Sequence, residues 1–216
     1  MSHALQHEWT APSRTALCII DYQVDFASPD GLLGRAGVAV ETVGSVEEPV
    51  TRLLDSARQA GVPVVFVGLK TRPETDSPVW REWMQRSGQN PDESYAVCRA
   101  GSGGEAFYRL QPQDDDILIW KERYSAFIGT DLENILRQRG IDTLVVCGIT
   151  TECCVDSTVR DAFQKDFSVF IVRDACAAYE QDMHDATMKI LTLSFAIACD
   201  TDEVCRVWDQ STFRSH

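Results

Sequence analysis

Asp21, Lys121 and Cys154 each stand where an apolar, strand-like run stops: Asp21 closes TALCIID, Lys121 closes DILIWK, and Cys154 opens the segment after DTLVVCGI. An acid, an amine and a thiol form a working set for covalent hydrolysis. The thiol attacks a carbonyl carbon, the carboxyl carries the proton, and the ammonium favours negative charge on sulfur. These residues are far apart in the chain, so only a tertiary fold can unite them. An open parallel sheet does so, because the carboxyl ends of its strands line one crevice.

The elements of such a sheet are visible as short apolar runs alternating with amphipathic stretches. Ala16 to Ile20 and Pro63 to Val67 read as strands, and between them Val43, Val46, Val50, Leu53, Leu54 and Ala57 recur at helical spacing. Ile117 to Trp120 is a third strand. It leads to a helix that Thr130 is expected to cap, with Glu133 reciprocating, Leu132, Ile135 and Leu136 buried, and a stop at Gly140. Leu144 to Ile149 is the fourth strand, with Val155, Val159, Ala162 and Phe163 on the inner face of the next helix. Val169 to Val172 is the fifth. Asp182 then caps a helix expected to bury Met183, Ala186, Ile190 and Leu191, and Phe195 to Ala198 is the sixth strand.

Strands apolar on both faces, alternating with helices, predict an α/β fold: a single-domain, three-layer αβα sandwich around a six-stranded, mostly parallel, Rossmann-like sheet. The domain is expected over residues 15–210, after an N-terminal extension at 1–14. With 216 residues, 44% of them hydrophobic and 25% charged, the chain suits one well-filled domain. Lys70 to Asp115 breaks the alternation. Its Trp80, Trp83, Tyr95, Phe107 and Tyr108 argue for order, as a pocket wall or an oligomer contact.

The 20 Lys and Arg against 33 Asp and Glu leave a net charge of −13, which argues against nucleic acid or an anionic membrane as partner. Of the eight cysteines, Cys18, Cys147, Cys176 and Cys199 sit in apolar runs and read as small core residues, and the spacings make no zinc framework. No window has the apolar length of a signal peptide core or a membrane span. A soluble cytoplasmic protein is expected.

The sharpest local motif is GITTECCVDST. Thr151 as N-cap would make Cys154 the third helical residue, in a turn of unpaired N–H groups at the positive end of the macrodipole. Such cysteines, beside a lysine, fall from a pKa of about 8.5 to somewhere near 3.5–7.5. Helix geometry alone does not choose between Cys153 and Cys154. Asp21 and Lys121 sharpen the reading, since a buried carboxylate needs a partner and Lys121 is a natural one, although an ion pair can also be purely structural.

At these residues the chain resembles the isochorismatase-like cysteine hydrolases, the group that includes nicotinamidase, ureidoacrylate amidohydrolase and biuret hydrolase. The resemblance runs from about Thr15 to Val207 through IIDYQVDF, KERYSAFIGTDLENIL, GITTECCVDSTVRDAF and VFIVRDACAA. It implies a triad of Asp21, Lys121 and Cys154, because Cys154 immediately precedes the valine of the family's T-x-x-C-V pattern and Cys153 falls one place early. It also implies an oxyanion hole from the backbone N–H groups of Thr150 and Cys154, with a non-proline cis peptide before Thr150. The implied reaction is thioester-mediated cleavage of an amide or carbamoyl bond in a small molecule. Gln23, Phe26, Arg72, Tyr124 and Phe127 flank these positions and are the expected substrate contacts.

The chain departs from the nicotinamidase branch, which carries Asp and His metal ligands after its second strand. Here that stretch reads GLKTRPETD, and the histidines are His3, His7, His184 and His216. A metal-free, cofactor-free enzyme acting on a linear substrate is therefore expected, as a homodimer or homotetramer. The alternatives are a vinyl ether hydrolase of the isochorismatase type and a non-catalytic interaction protein on the same scaffold. A phosphoryl-transfer site would want a second carboxylate where Gln23 stands, and a dinucleotide site would need glycines that DYQVDF lacks.

Overall fold

The computed structural model describes residues 5–214, and it forms a six-stranded, all-parallel sheet in the order β3-β2-β1-β4-β5-β6. The strands are β1 (Thr15–Ile20), β2 (Val64–Leu69), β3 (Ile117–Lys121), β4 (Thr143–Ile149), β5 (Ser168–Ala177) and β6 (Ile197–Cys199). The helices are α1 (Val24–Ala27), α2 (Leu32–Arg35), α3 (Glu41–Gly44), α4 (Glu47–Ala60), α5 (Pro78–Arg86), α6 (Pro91–Ser94), α7 (Leu132–Gln138), α8 (Asp156–Gln164), α9 (Gln181–Ser194) and α10 (Thr201–Arg214). Every residue of β1, β2 and β4 is buried, which is why those runs are apolar on both faces. Edge strand β3 alternates instead, with Leu118 outward.

The chain winds outward from β1 in both directions, so strand order reverses between β1 and β4. That switch point is where doubly wound sheets open a crevice. Gly148 draws the two strands together there: its φ is 116°, and a Cβ at this place would collide with the Ile20 carbonyl oxygen. β5 adapts with a register shift between Val146 and Gly148.

Several boundaries differ from expectation. Val43 to Ala57 is interrupted between α3 and α4, although Val43, Val46, Val50, Leu53, Leu54 and Ala57 are all buried as their spacing implied. The Thr130–Glu133 box does not form. Asp131 is the N-cap of α7, Thr130 Oγ1 accepts the Leu132 N–H at 3.3 Å, and Glu133 pairs with Lys165 at 2.6 Å. α9 starts before Asp182, with Glu180 as N-cap. It also turns a different stripe inward: Thr187, Met188 and Leu191 are buried while Met183 and Ile190 are exposed. Beside short edge strand β6 only a narrow stripe of α9 can be covered; Phe163 of α8 is exposed as well, its ring edge-on to Phe195. α10, absent from the sequence reading, packs on α4 and buries Trp208, whose Nε1 donates to the Thr10 carbonyl at 3.0 Å.

All eight cysteines are free. Burial pushes Cys18 up to about 12 and raises Cys98, Cys147, Cys176 and Cys199 as well. A raised folded pKa means the native state holds protons that the unfolded chain gives up. The stability from these thiols is therefore full below the ordinary thiol pKa and is lost as pH rises above it, at about 1.4 kcal/mol per pH unit per thiol. The melting temperature should fall between pH 7.5 and 9.5, and Cys147→Ala should flatten that decline; an unchanged slope would remove the buried thiols as its cause.

Candidate active site

Asp21 follows β1 in the left-handed region, φ 49°, and its N–H donates to the Val67 carbonyl of β2 at 2.8 Å. Asp and Asn adopt this backbone more readily than other side chains. Lys121 ends β3, two strands away, and its side chain spans that distance. Its Nζ donates to Asp21 Oδ2 at 2.7 Å, to the Arg123 carbonyl at 3.1 Å and to Cys154 Sγ at 3.3 Å. Three ammonium protons thus meet three acceptors. All three triad side chains are buried, Cys154 being 6% exposed. Asp21 Oδ1 is buried too and has no hydrogen-bond partner among the described residues.

Burial alone would lower Lys121, but Asp21 and Cys154 outweigh it and hold the ammonium above its ordinary pKa. The thiols divide differently from the helix-dipole expectation. Their mutual hydrogen bond lowers Cys153, whereas that same contact, burial and the Asp21 charge hold Cys154 well above the usual thiol range despite Lys121. Cys154 therefore rests as a neutral thiol and needs a base. The open Oδ1 of Asp21 is that base's natural seat.

β4 ends in a cis peptide between Ile149 and Thr150. Thr150, not Thr151, is the N-cap, in extended backbone at φ −91° and ψ 148° and with no side-chain cap bond. A π-turn, Thr151–Val155, follows before α8 begins, and Cys154 is its fourth residue. The wide turn explains the displacement, because the Thr150 carbonyl accepts the N–H groups of both Cys153 and Val155 at 3.2 Å. The Thr150 N–H has no acceptor among the described residues. Thr151 Oγ1 instead shares a hydrogen bond of 2.8 Å with His184 Nδ1.

Among the expected substrate contacts, Tyr124 follows Arg123, whose carbonyl accepts the Lys121 ammonium at 3.1 Å, and burial pushes the Tyr124 hydroxyl up. Phe26 packs over Leu69, Val97 and Cys98, and its carbonyl accepts the Tyr179 hydroxyl at 2.8 Å. The other three are spent elsewhere. Gln23 is fully buried, its Nε2 donating to the carbonyls of Leu69 at 2.8 Å and Glu105 at 2.6 Å while its Oε1 accepts the Leu69 N–H at 2.8 Å. It ties β1, β2 and the long insertion together. Arg72 is exposed and paired with Glu122 at 2.9 Å, in a side cavity lined also by Lys70 and Trp120. Phe127 is buried against Phe167, near the amino end of β5 and so at the opposite end of the sheet from Cys154.

Asp25 was not singled out in the sequence, yet it anchors the insertion: Oδ2 accepts the Cys98 N–H at 2.7 Å and Oδ1 the Leu32 N–H at 2.9 Å. A Cβ at Gly104 would collide with this carboxylate. The glycine cluster AGSGGEAF was the available signal. After β2, Thr71 Oγ1 donates to the Val97 carbonyl, Lys70 lies over Trp120 and Arg72 holds Glu122, so that stretch does not fit the ligand set of a metal site. His3 and His216 lie outside the described residues. A cavity of about 670 Å3 between Trp9, Phe163, Phe195 and Ile197 lies at the amino end of β5, away from the triad.

Known proteins place this arrangement. The Isochorismatase domain family matches residues 15–203. A ureidoacrylate amidohydrolase of Methylobacterium radiotolerans is 34% identical over 199 residues, covering 88% of this chain and 77% of that protein. Among solved structures, a cysteine hydrolase from Pseudomonas syringae pv. phaseolicola superimposes with a TM-score of 0.82 at 27% identity, covering 93% of this chain and 94% of the other. N-carbamoylsarcosine amidase from Thermoplasma acidophilum does so with a TM-score of 0.70 at 28% identity, covering 88% and 97%. By the extent of these matches, joined to the strand order on which the three buried groups meet, the chain belongs to the isochorismatase family.

Proposed function

We propose that this cysteine hydrolase cleaves the C–N bond of a small ureido or linear amide substrate in the cytoplasm, as a homodimer or homotetramer and without metal or cofactor. The observation that carries the reading is Lys121 Nζ placed within reach of both Asp21 and Cys154 while Asp21 Oδ1 stays open. The names of the relatives support the ureido class, and the eight free cysteines suit a reducing compartment.

Asp21 Oδ1 takes the Cys154 proton as sulfur attacks the carbonyl carbon. The resulting oxyanion is held by the N–H groups of Thr150 and Cys154. Lys121 stays charged and offsets the negative charge passing between sulfur and carboxylate. As the C–N bond breaks, Asp21 returns the proton to the leaving nitrogen, and ammonia or an amine departs, leaving a thioester from an amide substrate or an S-thiocarbamate from a ureido substrate. Asp21 then deprotonates a water that attacks this sulfur-bound carbonyl, releasing the carboxylic or carbamic acid and restoring the thiol.

The test is an ammonia-release screen over ureidoacrylate, N-carbamoyl amino acids, biuret, simple amides and nicotinamide, with an isochorismate assay beside it and each run with and without EDTA. Turnover of at least one ureido substrate, unaffected by EDTA, is expected. Turnover of isochorismate alone would replace the amidohydrolase reading, and EDTA loss restored by zinc would overturn metal independence. Sedimentation velocity tests the oligomeric state.

A further inference from the structure

The turn that carries the nucleophile is tied to the rest of the molecule by few side chains. Among the described residues, two side-chain hydrogen bonds join Thr151–Val155 to other elements: Lys121 Nζ to Cys154 Sγ at 3.3 Å, and Thr151 Oγ1 with His184 Nδ1 at 2.8 Å. The second lies at the start of the turn, between the Thr150 N–H and the Cys154 thiol. No side-chain cap holds that start. His184 is a half-buried residue in the first turn of α9, and α9 packs directly on the nucleophile turn.

Burial decides which partner donates. Thr151 is fully buried, and its hydroxyl has no other partner among the described residues. A ring proton on Nδ1 would point at Oγ1 and leave the hydroxyl proton unmet, which is costly for a buried donor. The satisfied arrangement has the ring proton on Nε2, with Nδ1 accepting the Thr151 O–H. An imidazolium has no lone pair to offer there. The charges that bear on the ring, Asp185 of α9 and Glu152 of the turn, favour protonation, but burial is the larger effect and holds the His184 pKa below its ordinary value. On α8 and β5, which also pack on α9, Arg160 holds Asp156 at 2.8 Å, Arg173 holds Asp200 at 2.8 Å, and Asp174 accepts the Thr201 N–H at 2.9 Å. β6 carries no charged residue.

We propose, on the hydrolase reading above, that His184 is a positioning residue for the reaction: as the neutral imidazole it accepts the Thr151 O–H and fixes the turn in which the Thr150 N–H and the Cys154 thiol must face one carbonyl group. Protonation removes the acceptor, strands the Thr151 hydroxyl and releases the turn from α9. His184 acts on alignment, not on substrate affinity.

The kcat measurements use the full-length protein with ureidoacrylate, or whichever other ureido substrate of the screen the parent turns over. Thr151→Val and His184→Ala should each lower kcat about tenfold, the factor that corresponds to roughly 1.4 kcal/mol, while KM changes less than about threefold. His184→Asn, whose Oδ1 can accept the same O–H and does not take up a proton, should recover most of kcat. On the acid side, the kcat of the parent should fall more steeply than that of His184→Asn. The double variant Thr151→Val with His184→Ala should be no slower than either single one, because all three lack the same bond. Two readings need no turnover. In Cys154→Ala protein labelled with 15N-histidine, Nδ1 of His184 should be unprotonated near neutral pH, and Thr151→Val should raise its pKa. In a Cys153→Ala background, the rate at which dithiodipyridine modifies Cys154 should show a step at the His184 pKa that His184→Asn lacks. Turnover of no screen substrate would sink the hydrolase reading, while the spectra and the thiol rates would still decide the role of His184. A proton on Nδ1, a His184→Asn protein as slow as His184→Ala, or a loss carried by KM or by urea stability with kcat unchanged would overturn the proposal.

Discussion

Cys154→Ala should abolish hydrolysis, a loss on the order of 10³-fold or more as expected for removal of a covalent nucleophile, while Cys153→Ala should keep most of it. The two thiols are neighbours, but Lys121 Nζ reaches Cys154 Sγ, at 3.3 Å, and Cys154 is the more buried of the pair. The contact with Cys153 is the first cause holding Cys154 above the ordinary thiol range. Its removal should make the Cys154 proton easier to transfer to Asp21, so the rising limb of the pH–rate profile of Cys153→Ala should move to lower pH. Ammonia release under saturating substrate measures both effects. An active Cys154→Ala protein alongside a dead Cys153→Ala protein would move the nucleophile by one residue.

Asp21→Asn should damage the enzyme twice. Removing the base forfeits general acid–base catalysis, about 10²–10⁴-fold. It also strands the Lys121 ammonium, 1% exposed, without its counter-ion, and breaking a buried pair in this way costs about 3–5 kcal/mol. Urea unfolding should show that loss, and adding Lys121→Met should recover much of the stability with none of the activity. A single Asp21→Asn variant that keeps activity within tenfold of the parent would remove Asp21 from the chemistry. A variant that keeps full stability would show the pair to be solvated.

Part of this was legible before any coordinates. The core strands declared themselves because both faces of β1, β2 and β4 are buried, which leaves a local apolar signal in each run. The ends of β1, β3 and β4 pointed to Asp21, Lys121 and Cys154, since polar groups ending apolar strands fall on the same edge of a parallel sheet. Helix starts were less legible. Thr130, Thr151 and Asp182 are all chemically competent caps, and the residues that hold the capping positions, Asp131, Thr150 and Glu180, differ from them by one or two places.

Side-chain direction beyond the strand ends depended on distant partners. Gln23 could have faced a substrate, but Leu69 and Glu105 claim its amide; Arg72 meets Glu122, and Phe127 turns toward Phe167. None of these pairings leaves a local pattern, because each joins segments brought together only by the sheet. The protonation of Cys154 was decided in the same way. Sequence places it at a helix start beside a lysine, which favours thiolate, whereas the folded pocket adds burial, the Cys153 contact and the Asp21 charge, and these prevail. Residue types and spacing thus determined which groups meet at the carboxyl edge, and the tertiary structure decided their charge states and free valences, because those depend on solvent exclusion and on long-range neighbours.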